Sequence, residues 1–320
     1  YAKQERDFQM SNKLKYQVCN WSEYNQSLIA RGRLSLWIDE KVISEWLCTN
    51  QTTTGKFTQI YSDVCIECGI RLKAMYGLPW RAVQGFLQSI MAILEVDLPV
   101  PNYSTFCRRQ QSLIAALEKE TSEKNMVLAI DSTGLKVFGE GEWKVRVHGY
   151  SFRRVWRKLH LAINVKTQQV EAVAFSTNDF KDGELLDDLL EQIETSVDKV
   201  IADGGYESFE NFESIKAIGA EPVIPPRSDA KIKQHGNSKK PRLARDEVVR
   251  ARNKTTTKQW RKNTGYHIRS LVETAMYRFQ CFFGSTLSAH KFESQLTEVI
   301  VKCSMMNKLT SLGMPVRKMS

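Results

Sequence analysis

Residues 126–134 have the sequence MVLAIDSTG, and residues 199–205 have the sequence KVIADGG. In each stretch a short apolar run ends in an aspartate, Asp131 or Asp203, and small residues follow. Such a run bounded by a turn predicts a buried strand, so we expect the two carboxylates at one rim of a sheet. Carboxylate oxygens in that position can hold divalent cations. Aspartates at strand ends also cap turns, and these residues alone leave both interpretations open.

Further strands and helices are predicted around these two runs. Residues 159–165 and 170–175 have strand character on either side of a polar turn, which predicts a hairpin. Residues 182–193 and 209–218 have helical apolar spacing, and residues 221–224 form a last short strand. We interpret His160 as a structural strand residue and Asp182 as an acid that stabilises a helix start. Strands that come first and then alternate with helices predict an α/β fold, in which helices cover a mixed sheet.

A third carboxylate lies on a helix predicted at residues 266–283. The polar stripe of this helix consists of Tyr266, Arg269, Glu273 and Gln280. At about 100° per residue these positions fall within about 60° of one another. The opposite side is apolar and consists of Val272, Ala275, Phe279 and Phe283. An acid one turn from an arginine suits a site for a metal ion and a phosphate, and an exposed ion-pair stripe is the alternative.

Residues 27–118 have helical patterning and few strand signals, after a polar leader over residues 1–26 that we expect to be flexible. Helices are predicted at residues 40–47, 57–76, 80–94 and 104–117. The last two suit a helix-turn-helix, whose second helix presents its N-terminal residues to a DNA groove. The side chains on offer are Tyr103, Ser104, Thr105, Arg108, Arg109 and Gln110. Arg108 and Arg109 are the candidates for base contacts, and an ordinary helical hairpin is the alternative reading of the region.

The chain is basic, with 46 Lys and Arg against 36 Asp and Glu and a formal net charge of +10. Residues 227–262 contain thirteen basic and three acidic residues, so this segment carries a net charge equal to that of the whole chain. Such concentration favours contact with a phosphate backbone, and a solvated loop is the alternative. We expect the segment to be poorly ordered without DNA and to clamp flanking or target DNA. The contacts are expected from Lys239, Lys240, Arg242 and Arg245.

The chain has no apolar run of the roughly 18 to 20 residues that a membrane-spanning helix needs, and its first ten residues are polar. Seven cysteines without a regular framework predict reduced thiols. Cys65 and Cys68 form a C-x-x-C pair on a predicted helix, and we interpret them as core thiols because no second pair lies at zinc-ribbon spacing. We therefore expect a cytoplasmic protein.

Five stretches together resemble the DDE transposases of the insertion-sequence-five group. They are IDSTGLKVFGEGEW (130–143), WRKLHL (156–161), ADGGY (202–206), IPPR (224–227) and GYHIRSLVETAMYRF (265–279). The likeness extends from about Ser27 to the end of the chain and includes residues 78–109 in the helical region.

The resemblance implies a ribonuclease H-like catalytic core over residues 119–320. In it Asp131 lies on the first strand, Asp203 follows the fourth strand, and Glu273 lies on the late helix. These three are implied to be catalytic and to hold two Mg²⁺ ions, for which Mn²⁺ can substitute. Tyr266 and Arg269 match the first two residues of the group's Tyr-Arg-Glu-Lys signature and are implied DNA contacts.

One position departs from that signature. Gln280 stands where a lysine is expected, so a charge that would contact an end phosphate is missing. Either Arg278 or Lys291 supplies that charge or end binding is weaker, and the sequence leaves this open. Trp143, on a predicted alternating strand, is interpreted as partly buried packing, with stacking on an unpaired end base as the alternative.

Together these inferences predict a DNA transposase that cleaves insertion-sequence ends and joins their 3′-hydroxyl ends to target DNA. The expected partners are double-stranded DNA, as terminal inverted repeats and as target, and a second copy of the chain in a synaptic homodimer. One alternative is a metal-dependent nuclease of the same fold without strand transfer. Another is a non-catalytic DNA-binding regulator derived from a transposase, which the complete acidic trio argues against.

Overall fold

Helices dominate the first part of the chain in the computed structural model, which describes residues 16–49, 53–54, 57–119, 124–137, 156–235 and 241–319. The elements are β1 (Tyr16–Val18), α1 (Trp21–Ala30), a 3-10 turn (Leu34–Leu36), α2 (Glu40–Ser44), β2 (Thr53–Thr54), β3 (Phe57–Thr58), α3 (Asp63–Tyr76), α4 (Trp80–Ile93) and α5 (Tyr103–Ser112). The predicted helical region is confirmed. Four bounds differ from the prediction: α1 begins inside the expected leader, α2 ends three residues early, α3 begins only at Asp63 after the short strand β3, and α5 ends five residues early.

Local signals explain the bounds of helix α3. The hydroxyl of Ser62 accepts a hydrogen bond from the backbone N–H of Cys65 at 3.1 Å, which caps the start of α3. The helix ends at Gly77, whose φ of 64° is the left-handed conformation that glycine adopts without strain. Cys65 and Cys68 are buried on the inner face of α3, which confirms that they are core thiols.

A mixed sheet forms the centre of the second part of the chain. Its strands and connections are β4 (Met126–Val137), β5 (Trp156–Asn164), β6 (Val170–Thr177), a 3-10 turn (Asp182–Leu185), α6 (Leu186–Leu190), β7 (Val197–Ala202), a 3-10 turn (Gly204–Tyr206), α7 (Phe209–Ala217) and β8 (Glu221–Val223). The strand order is β6-β5-β4-β7-β8. The pairs β4–β5 and β5–β6 are antiparallel, and β4–β7 and β7–β8 are parallel. The predicted mixed sheet and its hairpin are confirmed.

Helices follow the last of these strands. The elements are α8 (Ala244–Asn253), α9 (Thr257–Thr264), a 3-10 turn (Tyr266–Arg269), α10 (Ser270–Phe283), β9 (Thr286–Leu287), α11 (Phe292–Ser311) and β10 (Arg317–Met319). Strand β9 adds a short parallel pairing to the end of β4. The single helix predicted at residues 266–283 begins as a 3-10 turn, and its α-helical part starts at Ser270. Within the described residues, no helix is both long and apolar enough to cross a bilayer.

Alternate residues of β4 enter two different cores. Leu128 and Ile130 pack on the face that α6 and α7 cover. Ala129 lies on the other face, where Val272 and Phe279 of α10 pack together with residues of α11. Because side chains alternate along a strand, Asp131 belongs to the same face as Ala129. The carboxylate of Asp131 therefore faces the layer that contains α10.

The N-terminal helices share their core with the last helix of the chain. Ile66, Leu87 and Phe106 are fully buried in one cluster, which also contains Val301, Met305 and Leu309 of α11. Consequently the described helices before Glu118 do not bury their apolar faces by themselves. A separate domain boundary at Glu118 stays a prediction.

The first and last described segments are joined by hydrogen bonds. Strand β1 pairs antiparallel with β10, so that Gln17 lies opposite Lys318. The side-chain amide of Asn20 donates to the carbonyl of Met314 at 3.0 Å and accepts from the N–H of Val316 at 2.7 Å. Helix α1 is thereby held against the end of α11.

Candidate active site

Asp131 and Asp203 occupy matching positions on neighbouring parallel strands. Ile130 of β4 lies opposite Ala202 of β7, so the two aspartates come next in register on each strand. Asp203 follows the end of β7, and its Oδ1 accepts a hydrogen bond from the N–H of Gly205 at 2.8 Å. Asp203 therefore does cap a turn, and its carboxylate lies at the same edge of the sheet as that of Asp131.

Asp131 lies inside a strand and not at its end. Strand β4 continues to Val137 because its pairing with β5 extends beyond Asp131, which lies opposite Leu161. The Oδ1 atom of Asp131 accepts from the N–H of Ser132 at 2.9 Å, and its side chain is only 16% exposed. The apolar run identified the position correctly, whereas the strand end that it predicted is wrong.

Glu273 approaches Asp131 from helix α10. The buried side of this helix contains Val272, Ala275, Met276 and Phe279, and Glu273 lies on the outer side with 53% of its side chain exposed. The predicted amphipathic pattern of α10 is thus confirmed by burial. Packing of the apolar side on the sheet brings the first turn of α10 next to Asp131.

Arg269 connects two of the three carboxylates. Its guanidinium donates through Nη1 to Oδ2 of Asp131 and through Nη2 to Oε1 of Glu273. The ring of Tyr266 lies 6.0 Å from the same guanidinium, measured to the ring centroid. The predicted stripe of Tyr266, Arg269 and Glu273 therefore lies against the aspartates.

Two of the carboxylates act electrostatically on the third, Asp131. Burial raises the pKa of Asp131 above its usual value, and the nearby charges of Asp203 and Glu273 raise it further. The N–H of Ser132 and the guanidinium of Arg269 act in the opposite direction on this pKa. Burial also raises the pKa of the Tyr266 phenol, and the charge of Asp203 adds to that effect. The site is thus a partly desolvated cluster of negative charge.

The donor atoms of this cluster fit a divalent cation in their chemistry. Carboxylate oxygens are the ligands that Mg²⁺ and Mn²⁺ prefer, and Asp131, Asp203 and Glu273 supply them. As the side chains are arranged, however, no group of three or more His, Cys, Asp or Glu in the described part of the chain could hold a metal ion. The guanidinium of Arg269 lies between Asp131 and Glu273. The arrangement is that of an acidic site that an arginine neutralises.

A fourth acid, Asp182, lies beside the site. A side chain added at Gly205 would meet Oδ1 of Asp203 at 3.0 Å and Oδ2 of Asp182 at 3.5 Å, so both carboxylates line the turn at Gly205. Lys158 holds Asp182 through an ion pair of 3.1 Å. Asp182 does lie in the first turn of a 3-10 helix, as predicted, but its proximity to Asp203 was missed. The sequence feature that could have indicated this proximity is the glycine pair after Asp203, because glycines leave room for a neighbouring side chain.

A buried histidine supports this edge from the other face of the sheet. His160 lies opposite Ser132 in the β4–β5 register, and its Nδ1 is 3.2 Å from the hydroxyl of Tyr206. Burial lowers the pKa of His160 to about 4, so the imidazole is neutral near pH 7. The interpretation of His160 as a structural residue is consistent with this environment.

The side chain of Gln280 and the two nearby cations, Arg278 and Lys291, form hydrogen bonds within the fold. The side-chain amide of Gln280 donates to Thr133 Oγ1 at 3.4 Å, on the same strand as Asp131. Arg278 donates to Thr310 Oγ1 at 2.5 Å, and Lys291 donates to the side chain of Gln111 at 2.9 Å. Both cations therefore contact other helices in this arrangement, and a role for either at an end phosphate stays a prediction.

Two family models match the chain. Residues 122–308, more than half of the chain, match a model described as a transposase DDE domain, and residues 29–140 match a second model with the same description. The chain belongs to the DDE transposase family. Among solved structures, the strand transfer complex of the Drosophila P element transposase is similar at 13% sequence identity. That similarity covers 84% of this chain and 70% of the other, with a TM-score of 0.30.

The two arginines proposed to contact bases in this transposase differ in their environments. Arg109 donates to the carbonyl of Tyr61 at 2.9 Å and forms an ion pair with Asp63. Arg108 is exposed on the outer side of α5 and contacts only the carbonyl of Ser104 among the hydrogen bonds of the described residues. Arg108 is therefore the stronger candidate for DNA contact, because Arg109 already fixes α5 to the start of α3.

The basic segment of the transposase is better ordered than its composition indicated. In the described residues, 244–253 and 257–264 form helices α8 and α9. Arg245 is buried and pairs with Glu207 at 2.5 Å, and the buried Asp246 accepts from the N–H groups of Lys233 and Gln234. The expectation of a poorly ordered segment is wrong for these residues, because buried polar contacts and Trp260 fasten them to the sheet.

The remaining candidates are divided between the surface and the undescribed residues. Arg242 is exposed just before α8. Trp143, Lys239 and Lys240 lie outside the described residues. Their proposed DNA contacts stay predictions.

Proposed function

We propose that this protein is a DNA transposase of the insertion-sequence-five group that cleaves the ends of its element and joins them to target DNA. The observation that supports the proposal is that Arg269 pairs with both Asp131 and Glu273, while Asp203 follows the neighbouring parallel strand at the same edge of the sheet. The mixed sheet with helices on both faces supports a ribonuclease H-like core.

Asp131, Asp203 and Glu273 are the residues that hold divalent cations in this proposal. Two Mg²⁺ or Mn²⁺ ions bound there supply activation of the nucleophile and stabilisation of the leaving oxygen. The chain itself supplies the rest. Arg269 and Tyr266 bind the backbone of the scissile strand, since a guanidinium holds a phosphate in a fixed geometry. No side chain has to form a covalent intermediate, because water and then a DNA 3′-hydroxyl serve as nucleophiles.

Double-stranded DNA is the proposed partner, both as terminal inverted repeats and as target. Arg108 on α5 and the exposed basic residues around α8 and α9 are the proposed contacts outside the active site. Phosphate contacts fix the position of the DNA, whereas contacts with base edges read its sequence. A second copy of the chain completes the synaptic complex in this proposal.

The test uses labelled duplexes that carry the ends of the element encoding the protein, a supercoiled target plasmid and Mg²⁺. Single replacements Asp131→Asn, Asp203→Asn and Glu273→Gln are expected to lower cleavage below about a tenth of the wild-type level, with duplex binding within a few-fold because phosphate contacts elsewhere carry affinity. Asp198→Asn, an exposed acid on β7, is the matched control and should retain cleavage.

The other outcomes of this assay would each point to a different function or a different set of site residues. Cleavage without joined product means a nuclease of the same fold. Binding without cleavage by the wild-type protein means a DNA-binding regulator. Retention of more than a tenth of the cleavage by one variant removes that residue from the site.

A further inference from the structure

Arg269 occupies an unusual position for a residue that binds DNA. Its guanidinium contacts Asp131 and Glu273 at the same time, and only 21% of the side chain is exposed. These two acids are ligands in the proposed function. Arg269 therefore uses the carboxylate oxygens that a divalent cation needs.

The charge of Arg269 cannot be removed by a proton transfer at ordinary pH. A guanidinium stays protonated in proteins, and that of Arg269 is paired with two carboxylates. A cation placed between the same carboxylates would meet this fixed positive charge at close range. Cation and guanidinium thus compete for the two acids, and binding of one requires the other to leave.

The position of Arg269 along the chain allows such an exchange. Arg269 is the last residue of the 3-10 turn that leads into α10, whereas Glu273 is fixed on the helix itself. The buried side of α10 is anchored by Val272 and Phe279, so the helix stays in place when the arginine side chain turns. Rotation of one long side chain is enough to release both carboxylates.

We propose that Arg269 is a positioning residue that keeps Asp131 and Glu273 neutralised in the DNA-free protein and releases them to a divalent cation when a DNA phosphate takes its guanidinium. This inference rests on the proposed function. It makes cation binding and DNA binding mutually supportive, since two ligands that favour the same rearrangement raise each other's affinity by the same factor. Free transposase is then poorly loaded with cation, and the loaded site forms on DNA.

The test measures Mn²⁺ binding to the full chain without DNA, by the loss of the free-ion signal in electron paramagnetic resonance. Arg269→Gln is expected to bind Mn²⁺ about tenfold more tightly than the wild type, because the competing charge is gone. Arg261→Gln is the matched control. Its guanidinium lies 5.5 Å from the centroid of the Tyr266 ring, close to the site but without an ion pair to Asp131 or Glu273, so Mn²⁺ affinity should stay within about threefold.

A second measurement guards against loss of folding in the glutamine variant. Arg269→Lys keeps the charge but cannot donate to both carboxylates as a planar fork, so its Mn²⁺ affinity should lie between those of the wild type and Arg269→Gln. Mn²⁺ should also raise the thermal midpoint of Arg269→Gln more than that of the wild type. In the wild type, a random-sequence duplex should tighten Mn²⁺ binding, and this effect should be lost in Arg269→Gln.

The outcomes separate this inference from the proposed function. Equal or weaker Mn²⁺ binding by Arg269→Gln, together with loss of binding in Asp131→Asn, overturns the role of Arg269 and leaves the cation site intact. If Asp131→Asn in the Arg269→Gln background binds Mn²⁺ as tightly as Arg269→Gln alone, or if the wild type binds no Mn²⁺ even with the duplex, the cation site itself is refuted and the inference is refuted with it.

Discussion

Arg245 illustrates how a basic residue in a DNA-binding segment can instead hold the fold together. Its side chain is 10% exposed, and its Nε donates to Oε1 of Glu207, which is 4% exposed. The guanidinium also donates to the carbonyl of Lys231 at 3.1 Å and lies 4.5 Å from the centroid of the Phe209 ring. Replacement by glutamine leaves the buried carboxylate of Glu207 with Arg227, which is 70% exposed, as its remaining charged partner among the described residues.

Breaking a buried ion pair by removal of one partner costs about 3–5 kcal/mol. Because Arg227 retains part of the interaction, we expect Arg245→Gln to lower the free energy of unfolding by about 3 kcal/mol, at the lower end of that range. Urea unfolding followed by tryptophan fluorescence measures this change, since Trp260 is buried in the adjacent α9. The exposed Arg242 provides the control, and Arg242→Gln should change the unfolding free energy by less than about 0.5 kcal/mol.

In DNA binding we expect the reverse: the exposed basic residues around Arg242 should contribute, and the buried Arg245 should not. Joint replacement of Lys239, Lys240 and Arg242 by glutamine should reduce the slope of log affinity against log salt by about 0.9 for each DNA phosphate that the protein no longer neutralises. The preference for end sequences should stay unchanged. If Arg245→Gln unfolds at the wild-type urea concentration, the burial argument is refuted, and an unchanged salt slope in the triple variant shows that its residues form a solvated loop.

Two further predictions concern buried positions. Alanine at Gly69 would place its Cβ in van der Waals overlap with the ring of Phe106, so Gly69→Ala should destabilise the protein by about 1–3 kcal/mol in urea unfolding. The matched Gly85→Ala has no atom within 4 Å and should stabilise α4 by about 0.5–1 kcal/mol; equal effects of the two would show that helix propensity decides, and not the contact. The pKa of His160, lowered by burial to about 4, implies that stability is present above pH 6.5 and falls by about 3 kcal/mol as the pH drops to 4. His160→Gln should lack this part of the pH dependence, and identical unfolding curves of variant and wild type across that range would contradict the assignment.

The parts of the fold that the sequence predicted are those with local signals. The apolar runs before Asp131 and Asp203 are strands because β4 and β7 are buried in the middle of the sheet. The 3.6-residue spacing of Val272 and Phe279 predicted the buried side of α10 and hence the outward position of Glu273. The pattern therefore predicted the two aspartates at one edge of the sheet, whereas the place of Glu273 beside them was implied by the family resemblance.

The end of α5 could not be predicted because a distant helix determines it. The pattern favoured a helix to residue 117, but α5 ends at Ser112. After it the chain runs along α11, where Thr297 Oγ1 donates to the carbonyl of Leu113 and Asn307 Nδ2 donates to that of Glu118. Side chains 184 and 189 residues away thus satisfy backbone groups that a helix would otherwise have paired internally.

Composition was misleading in the basic segment for a similar reason. The segment contains thirteen basic residues, but a small set of other residues anchors it to the fold. Among them are Val249, Trp260 and the fully buried Asp246. Charge density indicated a DNA partner but gave no information on which cations are paired inside the fold. The ion pairs of Arg269 with both Asp131 and Glu273 could not be predicted either. Helical spacing places the Arg269 side chain near Glu273, but it does not show whether the guanidinium binds a carboxylate or a phosphate.

The shared core of the N-terminal helices and α11 also affects how the protein is made. Val301, Met305 and Leu309 reach the helices only after synthesis of the roughly 190 residues that follow α5, which takes about 10 to 40 s at 5–20 residues per second. During that interval the nascent helices expose apolar surface that chaperones can bind. A chain that is terminated before α11 lacks this part of the core, so we expect its N-terminal helices to be less stable than those of the complete chain.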